Sequence, residues 1–296
     1  MEKVFLTEHI HPDAVAYLRE NFEVVQGTST ESGEIIRQAQ GCSAILIRSA
    51  KITAEIMDAI PTLKVVAKHG MGVDNIAVDH ATEKGILVVN APFSNLNAVA
   101  EHIVMLLLAL SKRTVQMDQL TRAGQFKERN TYKTIELKGA TVGIIGMGAT
   151  GRVVTRALQF FGADLTYYNR SRKPDIEEQG VQYLPLEELL KKNICVCTCL
   201  NKFVTLLHQP EFEAFGNHKI LFNTGLTPAS DLDALKKWLA HGDNYYFCDN
   251  NMALGDQSLR EFENVSCFGG FSGGSYQAII RLTEKSIANV DRFLSL

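Results

Sequence analysis

Short apolar runs alternate with amphipathic stretches along roughly the first 95 residues. Val4–Leu6, Ala44–Ile47, Lys64–Ala67 and Ile86–Val89 read as strands, with helices at Asp13–Asn21, Ala54–Ala59 and Val78–Lys84 between them. Strands that alternate with helices pair in parallel, because each helix carries the chain back along the sheet. Asn90-Ala91-Pro92 interrupts the pattern, since proline lacks an amide hydrogen and disfavours helix before it. A helix then runs from Ala98 to about Arg113, apolar on almost every side, which predicts burial. The alternation restarts with a strand at Thr141–Ile145, a glycine turn, a helix from Gly151 to Phe161 and a strand at Asp164–Tyr168. Later strands are predicted at Val181–Tyr183, Ile194–Leu200, Ile220–Asn223, Tyr245–Asp249 and Val265–Phe268, and one amphipathic helix from Tyr276 to Leu296.

Composition narrows the class. The 296 residues are 46% hydrophobic and 21% charged, enough apolar material for two domains. Net charge is −3 with no block of like sign, which argues against a nucleic-acid or membrane-surface partner and for a small-molecule ligand. Cys195, Cys197 and Cys199 recur with period two, the mark of one face of a buried strand rather than a metal or redox site. No metal site is expected. The start of the chain reads directly as a strand with no signal-like region, so a cytoplasmic location is expected.

Gly146-Met147-Gly148-Ala149-Thr150-Gly151 closes an apolar strand and opens a helix. In that setting the first glycine makes the turn, Gly148 lets main chain approach a pyrophosphate, and Gly151 lets the helix close on the strand. The helix terminus adds free amides and partial positive charge. A tight turn of purely structural purpose is the alternative. The adenosine ribose is read about 20 residues on, where an acidic residue would repel a 2′-phosphate. Here the segment is Tyr168-Asn169-Arg170-Ser171-Arg172-Lys173. Neutral Asn169 removes that repulsion, and Arg170 and Arg172 offer charge-assisted contacts, so NADP(H) is expected over NAD(H). The competing reading is a solvated basic loop.

Several segments together resemble the D-isomer-specific 2-hydroxyacid dehydrogenases. They are Lys68-His69-Gly70-Met71-Gly72-Val73-Asp74-Asn75-Ile76, Val89-Asn90-Ala91-Pro92, Val99-Ala100-Glu101-His102, the glycine turn, and Asn223-Thr224 with Asp231 and Ala234-Leu235. The resemblance spans nearly the whole chain. It implies an α/β fold of two doubly wound parallel-sheet domains. A Rossmann dinucleotide-binding domain, 98–275, is inserted into a flavodoxin-like substrate domain, 1–97 plus 276–296, with the active site in the cleft. It further implies cofactor contacts at Thr224 and Asp249, a substrate carboxylate near the amides of Met71 and Gly72, and a homodimer built on the long helix and the segment Arg113 to Lys133.

In that family an arginine, a histidine and a glutamate support hydride transfer to a 2-oxo acid. Alignment without gaps places Leu226, Gly270 and Leu254 at those positions. Leucine cannot pair with a carboxylate, and glycine cannot donate a proton. No residue is therefore assigned a catalytic role. Lys68 and His69, beside the Met71-Gly72 turn, are weighed as substitutes against a structural role. Arg48-Ser49 either meets an anionic ligand or caps a neighbouring carbonyl. His102 is expected to be a domain contact. His208, His218 and His241 are expected to be solvated and without acidic partners. Four glycines within Phe268–Ser275 predict a flexible wall. Two functional readings stay open: an NADP(H)-dependent oxidoreductase with an altered substrate, and a non-catalytic cofactor-binding regulator or partner subunit.

Overall fold

The structure, a computed structural model, describes residues 1–128, 134–200, 204–225, 227–241, 243–268 and 272–294. Contacts divide it into two units, Met1–Asn95 with Ser275–Leu296, and Leu96–Gly274.

The first unit contains β1 (Lys3–Leu6), α1 (Pro12–Asn21), β2 (Glu23–Gln26), α2 (Ser32–Gln38), β3 (Ala44–Ile47), α3 (Ala54–Ala59), β4 (Val65–Lys68), α4 (Val78–Glu83) and β5 (Leu87–Asn90). All pairings are parallel, in the order β2-β1-β3-β4-β5. This is the flavodoxin-like winding. Every residue of β3 is buried, because helices cover both faces of a central parallel strand and demand a continuous apolar run. The patterning missed β2 and α2. β2 is an edge strand with no fully buried residue, and α2 buries Ile35 alone, so neither carries a strong apolar signal.

The last helix returns to this unit and packs on β3, β4, β5 and α1 as a tenth element of its framework, Tyr276–Leu294. Its Val290 is fully buried. Three of its side chains donate to carbonyls at the end of β5 and in the irregular segment after it: Asn289 to Asn90 at 2.7 Å, Lys285 to Pro92 at 2.8 Å and Arg281 to Ser94 at 2.9 Å. Beyond the strand the backbone has no ladder partner and needs donors from elsewhere.

The second unit begins with α5 (Leu96–Ser111) and α6 (Thr114–Arg122). It continues through β6 (Thr141–Ile145), α7 (Ala149–Phe160), β7 (Asp164–Tyr168), α8 (Pro174–Glu177), β8 (Gln182–Tyr183), α9 (Leu186–Lys192), β9 (Cys195–Thr198) and α10 (Gln209–Phe215). It closes with β10 (Ile220–Asn223), α11 (Leu232–Leu239), β11 (Tyr245–Cys248), α12 (Asn251–Leu254), a 3-10 turn (Gln257–Glu261) and β12 (Val265–Cys267), which makes the returning helix α13. The sheet order is β12-β11-β10-β9-β6-β7-β8, all parallel. Winding reverses between β6 and β9, which opens a ligand crevice at the carboxyl ends of the strands. Cys195 and Cys197 pack in the apolar layer with Ile144 and Phe222, while Val196 faces the opposite layer, as period-two spacing on a buried strand requires.

The long helix differs from expectation. Ile103, Leu106 and Leu107 are buried, but Met105 on the outer side is 52% exposed. An apolar face that meets no described partner explains why the sequence reads as a fully buried helix. No described helix is long and apolar enough to cross a membrane.

Replacing Val290 with Asp would place an unpaired charge in a dry layer, a change expected to cost several kcal/mol, about 3 or more. Chemical denaturation followed by circular dichroism should show a clearly lower midpoint; an unchanged midpoint would mean that α13 does not hold the first unit together.

Candidate functional site

The turn after β6 is dictated by contact distances. Gly146 has φ +100°, and a Cβ there would lie 2.7 Å from the Cys199 carbonyl oxygen. A Cβ on Gly151 would lie 2.3 Å from the Gly146 oxygen, so no side chain fits. Gly148 is different: its φ is −85°, and a Cβ would meet no atom within 4 Å. Its freedom serves whatever occupies the space above it. Gly148 caps α7 without a side-chain bond, and the amides of Gly148, Ala149 and Thr150 donate to no described residue. Unpaired amides at a helix terminus, with open space above them, fit a diphosphate. Met147 instead turns inward, buried, with its sulfur 3.7 Å from the Thr155 hydroxyl.

The basic loop after β7 separates its two arginines. Arg172 forms an ion pair with Glu177, with a 3.1 Å bond to Nε, and stacks 5.4 Å over the Tyr183 ring. Glu177 is a residue the sequence reading overlooked. Arg172 holds its carboxyl down at about 2, with help from the Tyr167 hydroxyl. The available signal was an acid five residues beyond the arginine on the next helical turn. Arg170 is exposed and makes no hydrogen bond or ion pair with a described residue. Asn169 bonds the Ser171 carbonyl at 3.0 Å, which shapes the loop between the two arginines.

At the carboxyl ends of β9, β10 and β11 the buried carboxamide of Asn223 organises the edge. Its oxygen accepts from Thr198 and from the Gly225 amide, each at 3.0 Å. Its nitrogen donates to the carbonyls of Thr227 at 2.9 Å and Ala253 at 3.3 Å. Thr224 gives its hydroxyl proton to the Thr198 carbonyl at 2.9 Å. Asp249 accepts from the Ser272 amide at 2.9 Å. His102 packs edge-on against Phe268, 5.3 Å between centroids, and its Nε2 is buried without a partner among the described residues. Burial pulls the His102 pKa down, while Asp249 opposes that shift. Leu254 is fully buried in the apolar layer with Leu235 and Trp238. Leu226 and Gly270, with Gly269 and Phe271 of the predicted flexible wall, lie outside the described residues. His218 is a correction: it does have an acidic partner, Asp243 at 3.6 Å, brought close by the fold across a turn, though both groups are largely exposed.

In the first unit the loops after β1 and β3 meet at Glu8, which sequence reasoning also missed. Its carboxylate accepts from the amides of Arg48 at 2.9 Å, Ser49 at 2.5 Å and Ala50 at 3.1 Å, and from the hydroxyls of Ser49 and Thr7. Burial opposes this charge, but the hydrogen bonds from Ser49, Thr7 and the backbone outweigh it and bring the carboxyl down to about 2. Neither reading of Arg48-Ser49 anticipated an internal carboxylate in that position. Lys68 donates to the Arg48 carbonyl at 2.5 Å and to Asn75 at 2.8 Å, and burial lowers its pKa. His69 bonds the Thr283 hydroxyl of α13 at 3.1 Å, and burial with the nearby Arg48 charge lowers its pKa. Both are engaged in holding loops. The Arg48 guanidinium is exposed and makes no hydrogen bond or ion pair with a described residue. The amides of Met71 and Gly72 likewise donate to no described residue, while Asn90 fixes their turn through the Met71 carbonyl at 2.6 Å. Two adjacent free amides and one free guanidinium on one sheet edge suit an anion.

A flavodoxin-like unit and a Rossmann unit with a glycine turn at its switch point define a dinucleotide-dependent class of α/β protein. The family model described as D-isomer specific 2-hydroxyacid dehydrogenase, catalytic domain, matches residues 4–295, and the chain belongs to that family of NAD(P)-dependent oxidoreductases. It is similar to glyoxylate reductase of Thermococcus onnurineus, 31% identical over 254 residues that cover 81% of this chain and 76% of the relative. Glyoxylate reductase of Thermococcus gammatolerans is 33% identical over 256 residues, with the same coverage. Among solved structures, an NADPH-dependent glyoxylate/hydroxypyruvate reductase from Sinorhizobium meliloti shares the fold with a TM-score of 0.87 at 24% identity, covering 100% of this chain and 95% of that one.

The Glu8 pKa carries a sign. Its folded value, about 2, lies below the unfolded value near 4.3. The stabilisation is therefore complete above about pH 4.3 and is lost as pH falls from there toward 2. In Glu8→Gln this acid-range loss should shrink by about 1 kcal/mol, allowing for solvent screening of a half-exposed group. Parallel urea titrations at several acidic pH values measure it; identical slopes in both proteins would contradict the amide cradle.

Proposed function

We propose that this chain is an NADP(H)-preferring oxidoreductase of its family, acting on a small anionic carbonyl or imine compound without the family's arginine, glutamate and histidine. The observation that carries the cofactor choice is the free, exposed Arg170 beside neutral Asn169, in the loop after β7, the strand that pairs with β6 and its glycine turn. The amides at Gly148, Ala149 and Thr150 would take the diphosphate, Arg170 the 2′-phosphate, and Thr224 and Asp249 shape the inner end. Arg172 is committed to Glu177 and Tyr183, so discrimination falls on one arginine rather than two. NADPH, when bound, supplies hydride. In the first unit the Met71 and Gly72 amides and Arg48 would receive the negative group of the substrate, while Lys68 and His69 hold the loops.

A second reading has its own support. Leu254, at the glutamate's place, is sealed in apolar packing, so no carboxylate is available there to orient a proton donor. That favours a regulator or partner subunit that binds the dinucleotide without turnover.

Binding separates these ideas from a structural glycine turn. Gly148→Ala should leave the unfolding midpoint unchanged and weaken both dinucleotides roughly tenfold, by filling ligand space. Arg170→Ala should weaken NADPH roughly tenfold and leave NADH as it was. Equal NADPH affinity in Arg170→Ala would remove the basis for the cofactor choice.

Turnover distinguishes enzyme from regulator. With NADPH and a panel of 2-oxo acids, aldehydes and imines, loss of nicotinamide absorbance that depends on Arg48 is the expected result. Ordinary-rate reduction of glyoxylate indifferent to Arg48→Ala would sink the altered-site proposal, and inertness across the panel with tight NADPH binding would establish the regulator.

A further inference from the structure

β11 and β12 end side by side, and both end in cysteine. The register pairs Tyr246 with Val265, Phe247 with Ser266 and Cys248 with Cys267. Paired residues of adjacent strands project from the same face, and strand spacing of about 4.8 Å lies inside the Cα separation that a disulfide spans, about 4.4–6.8 Å. The Cys248 thiol is buried, and Cys267 packs against the same apolar layer. Cys267 is partly exposed, with Arg260 Nη2 at 3.9 Å from its sulfur and Asn251 Oδ1 at 3.8 Å. The Arg260 donor fixes the Cys267 sulfur at the accessible end of the pair. Burial pushes the Cys248 thiol up, so it is inert to oxidants until a partner sulfur has been activated. This is the layout of an attacking cysteine backed by a resolving one.

We propose that Cys267 and Cys248 form a peroxide-sensitive thiol pair whose closure to a disulfide reshapes the Asp249 edge of the dinucleotide-binding unit. The Cys267 sulfur attacks one oxygen of hydrogen peroxide as its thiol proton is released, and the O–O bond breaks. The departing hydroxide takes the thiol's proton and leaves as water, and Cys267 becomes a sulfenic acid. The Cys248 sulfur then attacks the Cys267 sulfur, the S–O bond breaks, and the second hydroxide leaves as water with the Cys248 proton. Two thiols lose two electrons and two protons in all, and one peroxide becomes two waters.

Closure must draw the two Cβ atoms toward about 3.8 Å, closer than strand spacing. β12 is the element able to move, a three-residue edge strand bonded on one side only. Phe268 follows it directly and carries the contacts to His102 and Phe247; Asp249 follows Cys248 and holds the Ser272 amide. Cys195 and Cys197 do not compete, since both are buried and neighbours two apart on one strand sit at the far limit of disulfide reach.

The linkage stands independently of the proposed function; its effect on the cofactor rests on that reading. The full chain, reduced and then treated with hydrogen peroxide, should lose the mass of two hydrogens, yield one peptide pair joining Cys248 to Cys267, and recover with dithiothreitol. Cys267→Ser and Cys248→Ala should each abolish the linkage. NADPH affinity of the linked form should fall roughly tenfold. Linkage at other cysteines, or sulfinic acid at Cys267 with no linkage, overturns the pair. Linkage with unchanged NADPH affinity overturns the coupling. Linkage in a protein whose reduced form binds no dinucleotide overturns the cofactor reading and leaves the thiol pair intact.

Discussion

One buried carboxamide sets the geometry of the dinucleotide-binding edge. Asn223 is 2% exposed and bonds groups from β9, from the loop after β10 and from α12. A buried amide left with unmatched donors and acceptors costs about 1–3 kcal/mol, so each segment is held to the one arrangement that satisfies it. Thr224, whose hydroxyl meets the same Thr198 residue through its carbonyl, and the α12 segment that buries Leu254 both inherit their positions from this residue. Fixing a loop through a core polar group is more durable than fixing it from the surface, because water cannot substitute for the lost partner.

The first unit solves a different problem. Loops at the carboxyl ends of β3 and β4 bring many amides and two cations, Arg48 and Lys68, to one edge. Glu8 answers the amides of Arg48, Ser49 and Ala50, and carbonyl and carboxamide oxygens answer Lys68. Among the described residues, what remains uncompensated is the Arg48 guanidinium and the amides of the turn at Met71 and Gly72. The positive character that a ligand would meet is thus the residue left after internal neutralisation, not the sum of the basic side chains.

The core of both sheets was legible in the sequence because a parallel strand covered on both faces must be apolar throughout. β6, buried from Val142 to Ile145, appears at its predicted bounds for that reason. Edge strand β2 was not legible, since one flank of an edge needs no apolar cover. The glycine turn could be read because its glycines answer to local sterics. Glu8 could not, since it finds its partners by tertiary closure across about forty residues of chain that only the sheet brings together, whereas Glu177, five residues from Arg172, was a local signal left unread. Likewise two arginines of equal promise in sequence became one free and one engaged, a distinction that depends on where α8 sets its acid.

The return of α13 to the first unit has a consequence for biogenesis. The second unit is drawn from one continuous stretch, whereas the first lacks the cover over β4 and β5 until α13 has been made. On a ribosome the dinucleotide-binding unit can therefore reach its final packing while its companion still shows an open sheet face. Until α13 is made, that face of the sheet stays without its apolar cover.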